Sequence, residues 1–174
     1  MLEMIVGGLG FDERTGQPIL VLSDREKRRA LPIWIGQAEA IAISNGLEKV
    51  TGGRPLTHDL MLNVIEELGY EVERVEITAL ENHAYKASLN LVSRTRTQKK
   101  KKSMDARPSD AIAIAVRANV PIFAAEALIK EGSIFIDEET EERDAEEFKK
   151  FVETVNASDF KLDNFDAQLE EEEN

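Results

Sequence analysis

Two short phrases hold most of the side chains in this chain that could do chemistry. Arg54-Pro55-Leu56-Thr57-His58-Asp59 opens one apolar-periodic run, and Arg107-Pro108-Ser109-Asp110-Ala111 opens another. Each joins an arginine and a proline to a hydroxyl residue and an aspartate at the start of a helix-like pattern. The first turn of a helix presents unpaired N–H groups and partial positive charge, so it suits an anion such as phosphate. A preceding arginine adds a forked, permanently charged donor. Carboxylates close by can hold a divalent cation. These are the parts that handling a phosphodiester requires.

Helix capping explains half of each phrase. Thr57 suits an N-cap and Pro108 the first helical position. Asp59 and Asp110 fall in first turns, where acids are favoured. Capping does not explain Arg54 and Arg107, because an arginine at that end needs an acid or an anion beside it. His58 sits at the margin of its helix's apolar stripe, either as metal ligand or general base, or bonded to backbone. Glu39 shares a helical face with Ile43, Leu47 and Val50. Its carboxylate there either needs a partner or sits wet in a first turn. Asp105 and Arg107 project to one side of an extended segment. They pair with each other or, with Asp110, frame a metal and a phosphate, for which Mg²⁺ or Mn²⁺ is suited.

The one basic patch is Arg94, Arg96, Lys99, Lys100, Lys101 and Lys102, read as a loop over residues 94–102. It is a candidate contact for a nucleic-acid backbone, or a solvated loop held by the chain's own acidic tail. It has no interleaved aromatics on which bases could stack. His83 reads as a turn residue, and Trp34 as core or interface.

The elements that must position these residues follow from periodicity. Residues 1–9, 18–22 and 29–35 read as strands, with Pro32 marking an edge or a bulge. Residues 37–50 read as a first helix. Residues 57–68 read as a second, with Leu60, Met61, Val64, Ile65 and Leu68 as its apolar stripe and Gly69 as its stop. Residues 70–80 and 84–92 form a hairpin around Glu81-Asn82-His83. In its second arm Tyr85, Ala87, Leu89 and Leu91 alternate with polar residues, which gives one buried face. A short strand through Met104 leads into a third helix, residues 108–119, apolar nearly all round and therefore central. Residues 121–123 and 134–136 are short strands around a brief helix at 124–129.

The chain has 174 residues and a net charge of −12, with 32% charged and 42% hydrophobic residues, so it is soluble and long enough for one cored domain. From Asp137 onward, 16 acidic residues face 4 basic ones, so this tail carries the whole excess and residues 1–136 are neutral. An acidic protein repels nucleic acid, but here that objection applies to the tail. Cysteine is absent. Disulfides, thiolate zinc sites and cysteine nucleophiles are thereby excluded, and a reducing cytoplasm is the expected compartment. No run reaches membrane-spanning length, and the N-terminus lacks the basic region of a signal peptide. Within the tail, Phe148, Phe151, Val152 and Val155 make a narrow stripe on a charged helix, and the acidic end is expected to be disordered.

Three motifs in order give the chain its resemblance to a known family: Leu31-Pro32-Ile33-Trp34-Ile35-Gly36 with Glu39, the Arg54 to Asp59 phrase, and Asp105-Ala106-Arg107-Pro108-Ser109-Asp110-Ala111. Over residues 1–136 the chain resembles the bifunctional nuclease domain family. The resemblance implies a compact α+β domain with a largely antiparallel or mixed sheet packed by helices, here followed by the acidic tail at 137–174. It implies nuclease activity on RNA and DNA. Carried over by position, it points to Glu39, Arg54, Thr57, His58, Asp59, Asp105, Arg107, Ser109 and Asp110 as the site.

The expectation is therefore a sequence-tolerant nuclease dependent on Mg²⁺ or Mn²⁺. Glu39, Asp59, Asp105 and Asp110 supply metal ligands, His58 acts as ligand or base, and Arg54 and Arg107, with Thr57 and Ser109, hold the phosphate. The competing readings are an interaction module whose acidic tail binds a basic partner, and a sensor of a small phosphate-containing ligand. A homodimer is expected from apolar edge segments such as Ile33-Trp34-Ile35. What separates the readings is whether the acids and arginines face one cleft or pair off privately.

Overall fold

In the computed structural model, residues 1–50, 52–95 and 99–135 are described. The acidic tail, its helix and Arg96 of the basic patch lie outside the described residues. Among the described residues, one eight-stranded sheet runs in the order β6-β5-β4-β7-β1-β2-β3-β8, accompanied by four helices. The strands are β1 (Leu2–Phe11), β2 (Pro18–Asp24), β3 (Arg29–Trp34), β4 (Tyr70–Glu81), β5 (Ala84–Ser93), β6 (Lys101–Ala106), β7 (Ile122–Ala124) and β8 (Ile134–Phe135). The helices are α1 (Gln37–Leu47), α2 (Thr57–Glu67), α3 (Pro108–Ala118) and α4 (Glu126–Gly132). Each adjacent pair of strands is antiparallel except β4 and β7, which run parallel because α3 crosses over between β6 and β7. The α+β domain with a mixed, mainly antiparallel sheet matches the reading of the sequence.

Helix α3 is the centre of the core. Its positions Ala111 through Ala115 are at most 2% exposed, and it packs against α1, α2, β4 and β5. Full burial of Ile112 and Ile114 contributes about 1.5–3 kcal/mol each relative to exposure. The helix ends at Asn119, whose left-handed backbone (φ 53°) closes the last turn. Pro32 lies on the part of β3 beyond the two-residue partner β8, so its missing N–H leaves no ladder gap.

Several expectations need correction. The stripe of α2 is not a core stripe: only Ile65 is buried, while Leu60, Met61, Val64 and Leu68 are exposed. Periodicity reveals an apolar face but not what stands opposite, and among the described residues α2 packs mainly on α3 and β4 along one edge. Helix α1 likewise stops at Leu47, and Leu47 and Val50 are exposed. Its buried side is Ala40, Ile43, Ser44 and Gly46 instead. Ile33 and Ile35 are buried in the domain's own core, whereas Trp34 between them is 49% exposed and belongs to no core. The β4–β5 turn is two residues, Asn82 and His83, both left-handed (φ 50° and 62°), the twist a tight hairpin needs. Lys101 and Lys102 belong to β6, not to a loop.

The sheet curls. Gly132 of α4 lies close to both Leu31 of β3 and Tyr85 of β5, strands five places apart in the order. This brings the tip of the β4–β5 hairpin beside the end of β3.

Candidate active site

The site forms where the N-termini of α1, α2 and α3 converge. Helix α3 enters directly from β6 through Arg107, its N-cap in extended conformation (φ −68°, ψ 144°), with Pro108 at the first helical position. This fixed entry holds the Arg107 guanidinium at the helix mouth. Its Nε donates to Asp110 Oδ2 at 3.0 Å, and its Nη2 reaches Asp110 Oδ1 at 3.5 Å and Glu39 Oε1 at 3.0 Å. The two carboxylates hold the Arg107 guanidinium pKa above its usual value, the hydrogen bond to Asp110 contributing most. The side chain stays 66% exposed and Nη1 has no partner among the described residues, so one edge of the fork faces solvent.

Glu39 comes from the first turn of α1. Its carboxylate folds back over Gly36, the helix N-cap, where a Cβ would run into Oε2. A glycine at 36 is thus a condition for this carboxylate's position. His58 comes from the first turn of α2, where its side chain is 13% exposed and Nε2 lies 3.5 Å from Asp110 Oδ1. Glu39, Arg107, Asp110 and His58 therefore form one continuous polar chain. They line an open cleft of about 550 Å³ together with Thr57 and Arg117.

Asp59 and Arg117 pair separately: Arg117 lines this cleft, and Asp59 lies behind it, on a neighbouring one. Asp59 Oδ2 accepts the Leu56 N–H at 2.9 Å, and its Oδ1 accepts from Arg117 Nε at 2.8 Å. The backbone bond, followed by Arg117, holds the Asp59 carboxyl below its usual pKa. Leu56, not Thr57, is the N-cap of α2, and the cap is made in reverse, by Asp59 reaching back. Arg117 is nearly buried (8% exposed) and also donates from Nη1 to Ala113 O at 2.9 Å. It lies across α1 at Gly46, where a Cβ would stand 2.7 Å from Nη1. Arg117 was missed in the sequence, although it is the one charged residue within the otherwise apolar part of its helix, seven positions from Asp110 and so on the same face.

The remaining expected residues scatter. Ser109 is buried and lines a second cleft, of about 330 Å³, that shares the Glu39–Arg107 wall. Asp105 sits on β6 opposite Ser88, with no bond to Arg107. Arg54 is exposed, lines neither cleft and makes no ion pair among the described residues. Glu39, Asp59, Asp105 and Asp110 are thus not gathered around a single point, and among the described residues no three His, Asp or Glu side chains are placed to share an ion. In the basic patch, Lys101 Nζ is 2.7 Å from Glu73, Arg94 pairs with Glu66 and Glu71, and Lys102 lies 4.8 Å from the Tyr70 ring centre. Two of the patch's cations, Arg94 and Lys101, are thus met by acids of α2 and β4.

A model of the bifunctional nuclease domain matches residues 20–137, two thirds of the chain, and that span contains every residue named above. The chain belongs to the bifunctional nuclease domain family. It is 36% identical over 169 residues to an uncharacterized protein of Mycobacterium tuberculosis, a match that covers 92% of this chain and 99% of that one. It is 33% identical over 116 residues to bifunctional nuclease 2 of Oryza sativa, covering 66% of this chain and 35% of the plant protein. Bifunctional nuclease 2 of Arabidopsis thaliana is 36% identical over 92 residues, covering 53% of this chain and 28% of that one. The plant proteins are thus matched over about a third of their length or less. Among the described residues, no helix is long and apolar enough to cross a membrane.

Proposed function

We propose that the chain is a nuclease that hydrolyses RNA and DNA phosphodiesters with little sequence preference in the cleft between α1, α2 and α3. The observation that carries this reading is the chain Glu39–Arg107–Asp110–His58 along one open cleft, in a member of this family. Arg107 offers its free edge to a non-bridging phosphate oxygen and stabilises the charge that builds there in the transition state. His58 Nε2 faces Asp110, which orients the ring and leaves Nδ1 to take the proton from an attacking water. Because DNA has no 2′-hydroxyl, a single mechanism for both polymers must use water. The water oxygen bonds to phosphorus while the bond to the leaving oxygen breaks, and that oxygen is protonated from solvent.

Charge balance bears on the metal. Glu39 and Asp110 against Arg107, with Arg117 balanced by Asp59, leave the cleft one charge negative when His58 is neutral, and a phosphodiester adds another. A Mg²⁺ or Mn²⁺ ion is commonly held by one or two carboxylates together with the substrate's own phosphate. Glu39 and Asp110 would be the carboxylates to hold it, and the ion would offset the excess negative charge; Asp59 and Asp105 would not join it. The absence of cysteine is in keeping with a cytoplasmic enzyme.

Cleavage of labelled single-stranded RNA and DNA, with Mg²⁺, Mn²⁺ or EDTA, by the protein and by His58→Ala and Asp110→Ala variants tests the reading. Loss of cleavage in both variants, with the fold kept, is the expected result. The phosphate-sensor reading is favoured by one feature, the exposed Arg54 just before α2, which makes no ion pair among the described residues. It would be chosen by saturable phosphate binding without any cleavage.

A further inference from the structure

The second cleft lies on the far side of the Glu39–Arg107 wall, and the mechanism above does not use it. Its lining includes Trp34, Tyr85, His83, Gln17 and Ser109 beside Arg107. At about 330 Å³ it is at the small end of ligand pockets, which run about 300–1,000 Å³. Trp34 stands at the end of β3 with half its surface exposed, yet its ring is fixed: Nε1 donates to Asp12 Oδ2 at 3.1 Å. Asp12 is itself tied into its turn by the Arg14 and Thr15 amides, both at 3.0 Å. The Trp34 bond is the main cause of the lowered pKa of Asp12. At the other wall, Tyr85 is half-buried with its hydroxyl toward Gly132, where a Cβ would stand 3.3 Å away. An exposed tryptophan held by its own hydrogen bond costs little entropy to use as a contact surface. Aromatic rings of this kind hold unpaired bases by stacking.

We propose that this cleft is a nucleobase subsite, so that the substrate is a single strand with an unpaired base against Trp34 and an adjoining phosphate on Arg107. Arg107 is the joint between the two halves because it lines both clefts. A duplex is a poor ligand because its bases are paired and stacked on each other. Selectivity among bases is low because each base has a stacking face. The inference rests on the nuclease reading in taking nucleic acid as the ligand, but it concerns binding, which is measured apart from cleavage.

Trp34 is the only tryptophan in the chain, so its fluorescence reports on this cleft alone. The full chain carrying His58→Ala, which keeps the strand intact, is titrated with three probes: a short single-stranded DNA, the same strand with abasic sites throughout, and its duplex. Affinity is read independently from the anisotropy of a label on the DNA. The base-bearing strand is expected to quench Trp34, while the abasic strand and the duplex bind about tenfold more weakly and do not quench. Adding Trp34→Ala is expected to weaken the base-bearing strand about tenfold and to leave the abasic strand unchanged, with most of the affinity restored by Trp34→Phe. Equal affinity for base-bearing and abasic strands, no change in Trp34 emission at saturation, or no binding at all would each overturn the proposal. If the wild-type protein cleaves but its binding ignores bases, the subsite is lost and the nuclease stands. If base-dependent quenching occurs without cleavage, the nuclease is lost and the subsite stands.

Discussion

The Asp59–Arg117 pair ties α2 to α3, and α2 carries His58, so the pair should govern both stability and the placing of the base. Arg117→Met removes the guanidinium and keeps much of the stem. It loses a bond to a carboxylate, which contributes about 1.5–3 kcal/mol, and a bond to a carbonyl, which contributes about 0.5–1.5 kcal/mol. Asp59 is 37% exposed, so solvent screening puts the first at the low end. The expected loss is about 2 kcal/mol. Asp59→Asn has one acceptor oxygen where the carboxylate uses two, so it cannot serve both the Leu56 amide and Arg117. It also leaves a nearly buried guanidinium without its counter-charge, and the expected loss is about 2–3 kcal/mol. The double variant should cost less than the two losses together, with a coupling of about 1–1.5 kcal/mol in a double-mutant cycle by urea unfolding. Each single variant should also cleave more slowly by about tenfold, roughly 1.4 kcal/mol of barrier, because His58 is no longer held beside Asp110. Losses that add to within about 0.5 kcal/mol would refute the coupling, and full activity in both variants would refute the link to His58.

Asp59 has a folded pKa below its unfolded value, so its contribution is full above the ordinary carboxylate range and is lost as pH falls through the folded value. Amide exchange in α2 should therefore accelerate below about pH 4 before the rest of the domain opens, and Asp59→Asn should flatten that dependence. Gly46→Ala would place a methyl 2.7 Å from both Arg117 Nη1 and Val116 Cγ2, and should cost about 1–3 kcal/mol in thermal or urea unfolding. At Gly36→Ala the nearest atoms met are those of the movable Glu39 carboxylate, so the substitution should change stability by less than about 0.5 kcal/mol while lowering cleavage by shifting that carboxylate. Lys101→Ala should leave the slope of log affinity against log salt changed by less than about one unit, because Glu73 already compensates its charge.

The fold was legible in the sequence wherever a local pattern had one physical outcome. Helix α3 is apolar nearly all round and can only be central. Gly69 (φ 78°) ends α2 as expected, and the alternation in β5 marks its buried face. The α2 stripe misled because a periodic apolar face is equally consistent with a core and with an open surface. The site was legible as far as types and order: Glu39, His58, Arg107 and Asp110 do meet. Which acid serves which arginine was not, because that depends on how three helix ends converge. Arg117 lies outside the repeated phrases, two turns beyond Asp110, and enters the site only through the packing of α3 against α1 and α2. The role of Trp34 was hidden in another way. It stands in an apolar run, and only the curl of the sheet brings Tyr85 and His83 beside it to make a cleft.

The most direct test of the central claim is cleavage of labelled single-stranded RNA and DNA by tag-free protein, beside a His58→Ala/Asp110→Ala double variant purified identically. The expected result is cleavage by the first protein and none by the second, with matching circular dichroism and melting within a few degrees. Equal cleavage by both, or none by either across Mg²⁺ and Mn²⁺, would contradict the assignment of a nuclease to this cleft.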